Sequence, residues 1–340
     1  MKAPEDIYSP QRPPTLRDVA EAVGVSIATA SAVLNSTKSG TRVSDATRQK
    51  LTAAALEMGY RPNELARALF RRRTRLIGFY AQFEHLSSAN LFLSELIGGM
   101  QDATRTADCD LVLHTIPPNA TPEEAFSGLG DRRVDGLVFF APQQPTLLAA
   151  LIQASLPVIS VVDESDLVPS VVVDDFGGMR TIVQHLRDLG HRHVIFRDWH
   201  TKTASVANRR RGVIETATSL GMEISFGRVM DSTHEATLLA SELQALWEGA
   251  TAFICWEDSC AALTAYELER ADIAVPTQVA VTGFNGLRTV PPMRHDVTTI
   301  DAPWREVGRR AVDVLQSLVL GEPSIAKTVL PVQFHRGKTS

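Results

Sequence analysis

Cysteine is nearly absent from this chain. Cys109, Cys255 and Cys260 make an odd, scattered set with no Cys-x-x-Cys spacing. That excludes a disulfide framework and a cysteine metal knuckle, and it predicts reduced thiols in a cytoplasmic protein. Aromatic residues are scarce too, at 6%. No apolar run approaches the roughly 18 residues of a membrane-spanning helix, so no membrane partner is expected. The opening MKAPEDIYSPQRPP has no apolar core. It does not read as a secretion signal, and its prolines predict a disordered tail over residues 1–13. A glycine-rich phosphate loop, a Gly-x-Ser-x-Gly elbow and a repeat of solenoid length are all missing. With no nucleophile, base or phosphate cradle to point to, no catalytic residue, cofactor or metal is expected. The run His191-Arg192-His193 looks like a ligand pair, but one histidine ends a helical pattern and the other opens a strand, so capping is expected. The acidic pairs Glu123-Glu124 and Asp174-Asp175 read as solvated or capping groups rather than as a catalytic pair.

The charge that is present is unevenly placed. The formal net charge is −5, yet residues 1–75 hold thirteen Lys/Arg against seven Asp/Glu and carry +6, leaving −11 on the remainder. A basic head on an acidic body suits an anionic partner at the head only. At 340 residues the chain is long enough for two or three domains.

The head, residues 14–61, reads as three short helices. Thr15-x-x-Asp18 is a capping pattern, and Leu16, Val19, Ala20 and Val23 recur at helical spacing. Gly24 supplies a turn, where a positive φ costs glycine little. Ser26 caps a second helix running to Asn35, with Ala30, Val33 and Leu34 turned to a small core. Ser44 caps a third, whose Leu51, Ala55 and Met58 close that core. Two helices joined by so tight a turn form a helix-turn-helix, which seats its second helix in the DNA major groove. Ile27, Ala28, Ser31 and Ala32 are left facing the groove. Thr29 and Ser31, with the amides at the helix start, suit phosphate oxygens. The set has no Arg, Gln or Asn near the helix start for a bidentate base contact, so thymine methyls suit Ile27, Ala28 and Ala32. Polar readout shifts to Lys38 or Arg42 in the following loop. The next stretch, PNELARALF within residues 62–74, opens on a helix-starting pair in which Asn63 can cap. It is too short to be stable alone and can fold when DNA and a second copy are present. Ala66 is small enough for close approach, Leu69 stands where an apolar wedge enters a base step, and Arg67, Arg71, Arg72, Arg73 and Arg75 can neutralise phosphates.

Residues 75–340 alternate short apolar runs with helical patterns. LIGFYA, DLVLHT, VDGLVFF, VISVV, HVIFRD, TAFICW, QVAVTGF and VTTI read as strands, with amphipathic helices between them. Such alternation predicts parallel sheets covered on both faces, and there are enough strands for two α/β lobes. Ligands of open α/β sheets bind beyond the carboxyl ends of strands. Candidate ligand residues are therefore Asp163 after VISVV, Arg209 opening a helix at RRRGVIETA, Trp256, Glu257 and Asp258 after TAFIC, and Phe284 and Asn285 after VAVTG. Charged forks orient hydroxyls or carboxylates, and an aromatic face stacks on a ring.

The run DVAEAVGVSIATASAVLN…RVSDATRQKLTAAALEMGYRPNELARAL…RTRLIGF resembles the lactose/galactose repressor (LacI/GalR) family. RRVDGLVFF, LPVISVVD, VPSVVVDDFGG, HLRDLGHRHVIF, RRRGV, TAFICWEDSCAAL, VPTQVAVTGFN and VTTIDAPWREVGRRAVDVL follow in that family's order. The resemblance implies an α plus α/β fold: a helix-turn-helix domain, a hinge helix, and a periplasmic-binding-protein-like body of two doubly wound lobes. Lobe 1 is expected at about 75–164 and 301–327, and lobe 2 at about 165–300 and 328–338. It also implies a homodimeric, sometimes tetrameric, cytoplasmic repressor of a pseudo-palindromic operator, with a small-molecule effector between the lobes. The C-terminal FHRGKTS has no leucine heptads, which favours the dimer. By position, Ile27, Ala28 and Ala32 fall on base-reading slots, Leu69 on the intercalating leucine, and Thr15, Ser26 and Asn35 within the DNA-binding block. Asp163, Arg209, Trp256–Asp258 and Phe284–Asn285 fall on sugar- or purine-contacting positions. Three departures stand out. Ala32 replaces a common Arg or His, Asn285 a common Asp, and Trp256-Glu257 a small residue and Asn. A sugar acid, a phosphorylated compound, another metabolite or no small effector therefore stand beside a common sugar. A secreted solute receptor would need a leader, and an enzyme a catalytic group; the sequence offers neither.

Overall fold

Thr15 and Asp18 start the molecule's first helix by closing on each other. In the computed structural model the Asp18 amide donates to Thr15 Oγ1 at 3.3 Å and the Thr15 amide to Asp18 Oδ2 at 2.7 Å. The Thr15 amide and hydroxyl, both donating to Oδ2, hold the Asp18 carboxyl below its usual range. The structure describes residues 12–35, 43–71, 73–81, 91–114, 116–117, 119–140, 144–200, 203–230, 238–287 and 296–340. The N-terminal residues 1–11, Lys38, Arg42 and Arg72 lie outside them, as do the side chains of Glu64, Leu65, Leu69 and Phe70. The chain divides after Arg75 into two compact units.

In the first unit, α1 (Leu16–Val23) ends on Gly24, whose φ of 73° turns the chain into α2 (Ile27–Leu34). Ser26 caps α2 by accepting from the Thr29 amide at 3.1 Å, and Ser44 caps α3 (Asp45–Glu57) in the same way at 3.2 Å. Val19, Ala20, Ala30, Val33, Leu51 and Ala55 form the core. Met58 does not join it. It is the exposed C-cap of α3, and the turn after it brings Tyr60 against the core instead. In α4 (Glu64–Arg71) the Ala66 amide points to Asn63 Oδ1 at 3.4 Å, so Asn63 does cap this segment.

The second unit begins with β1 (Leu76–Ala81), α5 (Leu91–Thr106), β2 (Asp110–Leu113), α6 (Pro122–Leu129), β3 (Gly136–Phe140), α7 (Pro145–Gln153), β4 (Val158–Val161) and β5 (Ser170–Val173). It continues with α8 (Asp175–Asp188), β6 (His193–Trp199), α9 (Ala204–Ser219), β7 (Glu223–Met230), α10 (Ala240–Trp247), β8 (Ala252–Cys255), α11 (Asp258–Arg270), β9 (Ala280–Thr282) and β10 (Thr299–Asp301). It closes with α12 (Trp304–Val319), β11 (Lys327–Leu330) and β12 (Gln333–His335). One parallel sheet has the order β11-β5-β4-β3-β1-β2 and the other β7-β6-β8-β9, with β10 and β12 an antiparallel pair.

Two lobes result, with boundaries that differ from the sequence expectation. Strand β5 pairs with β4 and β11, so the first crossing follows Val173 rather than residue 164, and the last follows Leu330 rather than 327. Strands β5, β7, β11 and β12 are not among those the apolar runs predict. Helix α12 returns to lobe 1 and packs on α5 backbone to backbone. A methyl group on Gly99 would stand 1.8 Å from the Arg305 carbonyl oxygen, and one on Gly308 2.0 Å from that of Leu96. Only glycine permits that approach. Strand β6 of lobe 2 carries a fully buried arginine. Arg197 donates to both Glu242 oxygens at 2.8 Å and to Thr264 Oγ1 at 2.8 Å, and it stands 2.7 Å from Glu267. Burial opposes its charge, but the bonds and charge of Glu242 outweigh that and hold the guanidinium more firmly protonated than usual.

Candidate DNA-reading helix and effector site

On α2, Ile27 is 44% exposed and Ala28 lies exposed beside it, while Thr29, Ser31 and Ala32 are half-buried. The outer face is thus apolar and small at its start, a surface suited to methyl groups rather than to base-edge hydrogen bonds. Thr29 Oγ1 shares a 2.8 Å hydrogen bond with Ser26 Oγ. Asn35 departs from the expectation of a DNA-facing residue. It is buried, and its side-chain amide donates to Ser31 Oγ at 3.1 Å. As the C-cap of α2 it closes the helix rather than presenting a fork outward. Thr15 is held in its capping box, and Ala66 and Arg67 are half-buried on α4. Arg67 stands near Tyr60, whose hydroxyl burial pushes above its usual range while that arginine opposes the shift.

In lobe 2 the structure brings most of the candidate effector residues together around Arg209. Helix α9 begins at Ala204, capped by Thr203, so Arg209 lies beyond its first turn rather than opening it. Thr203 accepts from the Val206 amide and so starts the helix five residues early. From that position Arg209 is 2% exposed. It donates through Nε to Asp175 Oδ1 at 2.7 Å, through Nη1 to the Trp256 carbonyl at 2.7 Å and through Nη2 to Asn285 Oδ1 at 3.3 Å. Its guanidinium carbon lies 3.7 Å from the Phe284 ring centroid and 5.1 Å from that of Trp256. Asn285, at φ 108°, turns its amide nitrogen to Glu257 Oε2 at 3.2 Å. An amide can bridge a guanidinium and a carboxylate because it both accepts and donates, which an aspartate could not do.

Sequence reasoning missed three members of this group. Asp174 caps α8, accepting from the Gly177 amide at 2.8 Å, as a capping group should. Asp175 is neither solvated nor a cap: it is buried and pairs with Arg209. Burial raises its carboxyl pKa, with Arg209 the main opposing influence and the Ser205 hydroxyl a further one. The signal was the second acid of a pair at a strand end, where one acid suffices to cap. Ser205 and Trp199 carried no comparable signal.

The other two acids mainly hold backbone. Asp163, at the end of lobe-1 strand β4, accepts from the Ser205 amide of lobe 2 at 3.0 Å. Burial raises its pKa to about 6, against the pull of the Ser205, Ala204 and Glu164 amides. Asp258 accepts from Thr299 Oγ1 at 2.5 Å and from the Leu287 amide at 2.8 Å, and burial raises its pKa to about 7. It ties the start of α11 to β10 and to the turn after Asn285. His191 and His193 bond to the hydroxyls of Thr251 and Ser225, both at 2.8 Å, and Thr121 with Glu124 forms a capping box on α6.

Residues 15–63 match the family described as bacterial regulatory proteins, lacI family, and residues 183–340 match the periplasmic binding protein-like domain. The chain is 27% identical over 314 residues to the HTH-type transcriptional repressor PurR of Photobacterium profundum, covering 90% of this chain and 92% of that protein. It is 28% identical over 305 residues to the HTH-type transcriptional regulator DegA of Bacillus subtilis, covering 86% and 88%. Among solved structures, the lac repressor dimer bound to operator and the anti-inducer ONPF aligns with a TM-score of 0.80 at 26% identity, over 96% of this chain and 99% of that one. This chain thus joins a DNA-binding domain of the lacI family of bacterial regulatory proteins to a periplasmic binding protein-like domain.

Proposed function

We infer that this chain is a sequence-specific transcriptional regulator acting in the cytoplasm as a repressor. It binds a pseudo-palindromic operator as a homodimer, with operator affinity set by a small effector held in the body. Helix α2 reads the major groove, with Ile27, Ala28 and Ala32 against thymine methyls and Ser26, Thr29 and Ser31 toward phosphates. Helix α4 approaches the minor groove, with Leu69 as the wedge and Asn63, Ala66 and Arg67 beside it. The observation that carries the reading is the capped α1–Gly24–α2 unit with an exposed apolar face at the start of α2. Support comes from relatives named as transcriptional repressors and from a lac repressor structure described as bound to operator and anti-inducer. The same relatives favour a regulator over an enzyme.

The effector site is centred on Arg209, Phe284, Asn285, Trp256 and Glu257, with Asp163 and Asp258 holding the backbone around it. To carry operator occupancy from 1:99 to 99:1, the effector must discriminate about 10⁴-fold between the two forms. The test is gel-shift titration on a selected operator, comparing wild type with Leu69→Ala. Weaker binding and a smaller DNA bend are expected. Unchanged affinity and bend angle sink the wedge.

A further inference from the structure

Two of the chain's four tryptophans lie against each other at this site. The indoles of Trp199, at the end of β6, and Trp256, just after β8, stack with centroids 4.9 Å apart and planes inclined 25°. The Trp256 amide donates to the Arg197 carbonyl at 3.0 Å, which anchors this residue to the neighbouring strand. The same indole carries the Arg209 guanidinium at 5.1 Å, and that guanidinium lies 3.7 Å over Phe284. Aromatic rings and a guanidinium thus form a continuous stack, Trp199–Trp256–Arg209–Phe284.

The polar groups are engaged with one another as well. Arg209 donates to Asp175, the Trp256 carbonyl and Asn285, and Asn285 donates to Glu257. The indole Nε1 of Trp256 is buried and has no hydrogen-bond partner among the described residues. A buried indole N–H ordinarily finds an acceptor. The site therefore already holds a flat ring beside its guanidinium, with one donor left over.

We propose that the Trp256 indole occupies the ring slot of the effector site, and that an effector enters by displacing it. The effector is accordingly a flat, uncharged aromatic or heteroaromatic ring. This rests on the reading of the Arg209 cluster as the effector site. Three physical points select that class. A guanidinium and an indole face both stack best on a planar ring, whereas a puckered polyol meets them with fewer atoms. Arg209 is neutralised by Asp175, and Glu257 stands beside Asn285, so an added anion would meet two carboxylates for one cation. A ring bearing an acceptor on its edge can take the hydrogen bond that the Asn285 amide nitrogen now gives to Glu257.

The test uses full-length Trp256→Gly with indole itself as the probe, measured by calorimetry and by thermal unfolding. Trp256 is half-buried, and removing its ring leaves a slot between the Trp199 indole and the Arg209 guanidinium that a matching flat molecule can fill. Trp256→Gly is expected to bind indole at least tenfold more tightly than wild type and to recover part of its lost Tm. Trp247→Gly, which removes a tryptophan that is 80% exposed, is expected to gain nothing. Glucose 6-phosphate is expected to leave Trp256→Gly unshifted. Saturable indole binding by wild type at the same affinity overturns the proposal, since the slot would already be open. A folded Trp256→Gly that ignores indole also overturns it, and an equal shift by glucose 6-phosphate overturns the ring class. Should the glycine variant not fold, Trp256→Ala and the wild-type titration decide the same two points. Operator binding by wild type is measured in parallel: operator binding by wild type with no indole binding by the variant removes the slot alone, and no operator binding by wild type removes the regulator reading.

Discussion

Replacing Arg209 with methionine keeps the length and most of the apolar stem of the side chain and removes only the guanidinium. What is left behind is Asp175, 3% exposed and without its cation. Removing one member of a buried ion pair costs about 3–5 kcal/mol, because the other is left charged in a poor solvent. The carbonyl of Trp256 and Oδ1 of Asn285 lose their donors too, at 2.7 and 3.3 Å. Asp175 can escape the penalty by taking up a proton. Burial already raises its pKa and Arg209 is the main group opposing that, so the variant's Asp175 holds a proton at still higher pH. The loss is therefore largest at high pH and shrinks as pH falls, by up to about 1.4 kcal/mol per pH unit while the group titrates. Urea titration followed by tryptophan fluorescence at pH 8, 6.5 and 5 reads this directly. The double variant Arg209→Met/Asp175→Leu removes both charges and is expected to recover the larger part of the loss, the remainder being the donors that the Trp256 carbonyl and Asn285 Oδ1 still lack. A single-variant loss under about 1 kcal/mol at pH 8 would refute the pairing. So would a loss independent of pH, or a double variant no better than the single.

Asp258 gives a second pH signature. Its pKa rises in the fold from an ordinary 3.8 to about 7, so the folded state binds this proton more tightly than the unfolded state, and stability is lost as pH climbs from about 4 through 7. In Asp258→Asn that contribution disappears, and the stability of wild type relative to the variant is expected to fall by roughly 4 kcal/mol between pH 4 and 8; parallel Tm profiles would contradict it. Thr15→Ala breaks the α1 capping box and is expected to cost about 1 kcal/mol, seen as faster amide exchange in the first unit. Gly24→Ala meets open space but a φ of 73°, so strain alone should cost about 1–2 kcal/mol in the same measurement. Ile27→Ala, at an exposed position, should change stability by less than about 0.5 kcal/mol while weakening operator binding severalfold; a variant that binds as wild type would remove Ile27 from the base-reading face.

Local chemistry was legible in the sequence wherever its cause was local. Thr15, Ser26, Ser44 and Asn63 cap where their spacing placed them, because a cap needs only the next three residues. Strand β5 has an apolar run as long as that of β4 but went unread, since no local pattern says which sheet a strand joins, and β7 escaped because an edge strand with exposed Phe226 and Val229 lacks an apolar run. The lobe boundary moved for the same reason, since only pairing across β4 and β11 assigns β5 to lobe 1. Asp175 and Arg209 are 34 residues apart and Arg209 and Asn285 are 76 apart, so no local pattern joins them. Arg197 sits in an apolar strand, and its partners Glu242 and Glu267 come from two later helices. Met58 followed the helical apolar period but fell on the C-cap, where the chain leaves the core.

The most direct measurement is selection of sheared genomic DNA by the purified full-length protein against excess bulk competitor, repeated across salt concentrations. Enrichment of fragments sharing one two-fold-symmetric sequence is expected, bound at least about 10³-fold more tightly than bulk DNA and with an affinity that falls steeply with salt. Recovery of fragments at random, with and without flat-ring compounds added, would contradict the identification of this chain as an operator-binding regulator.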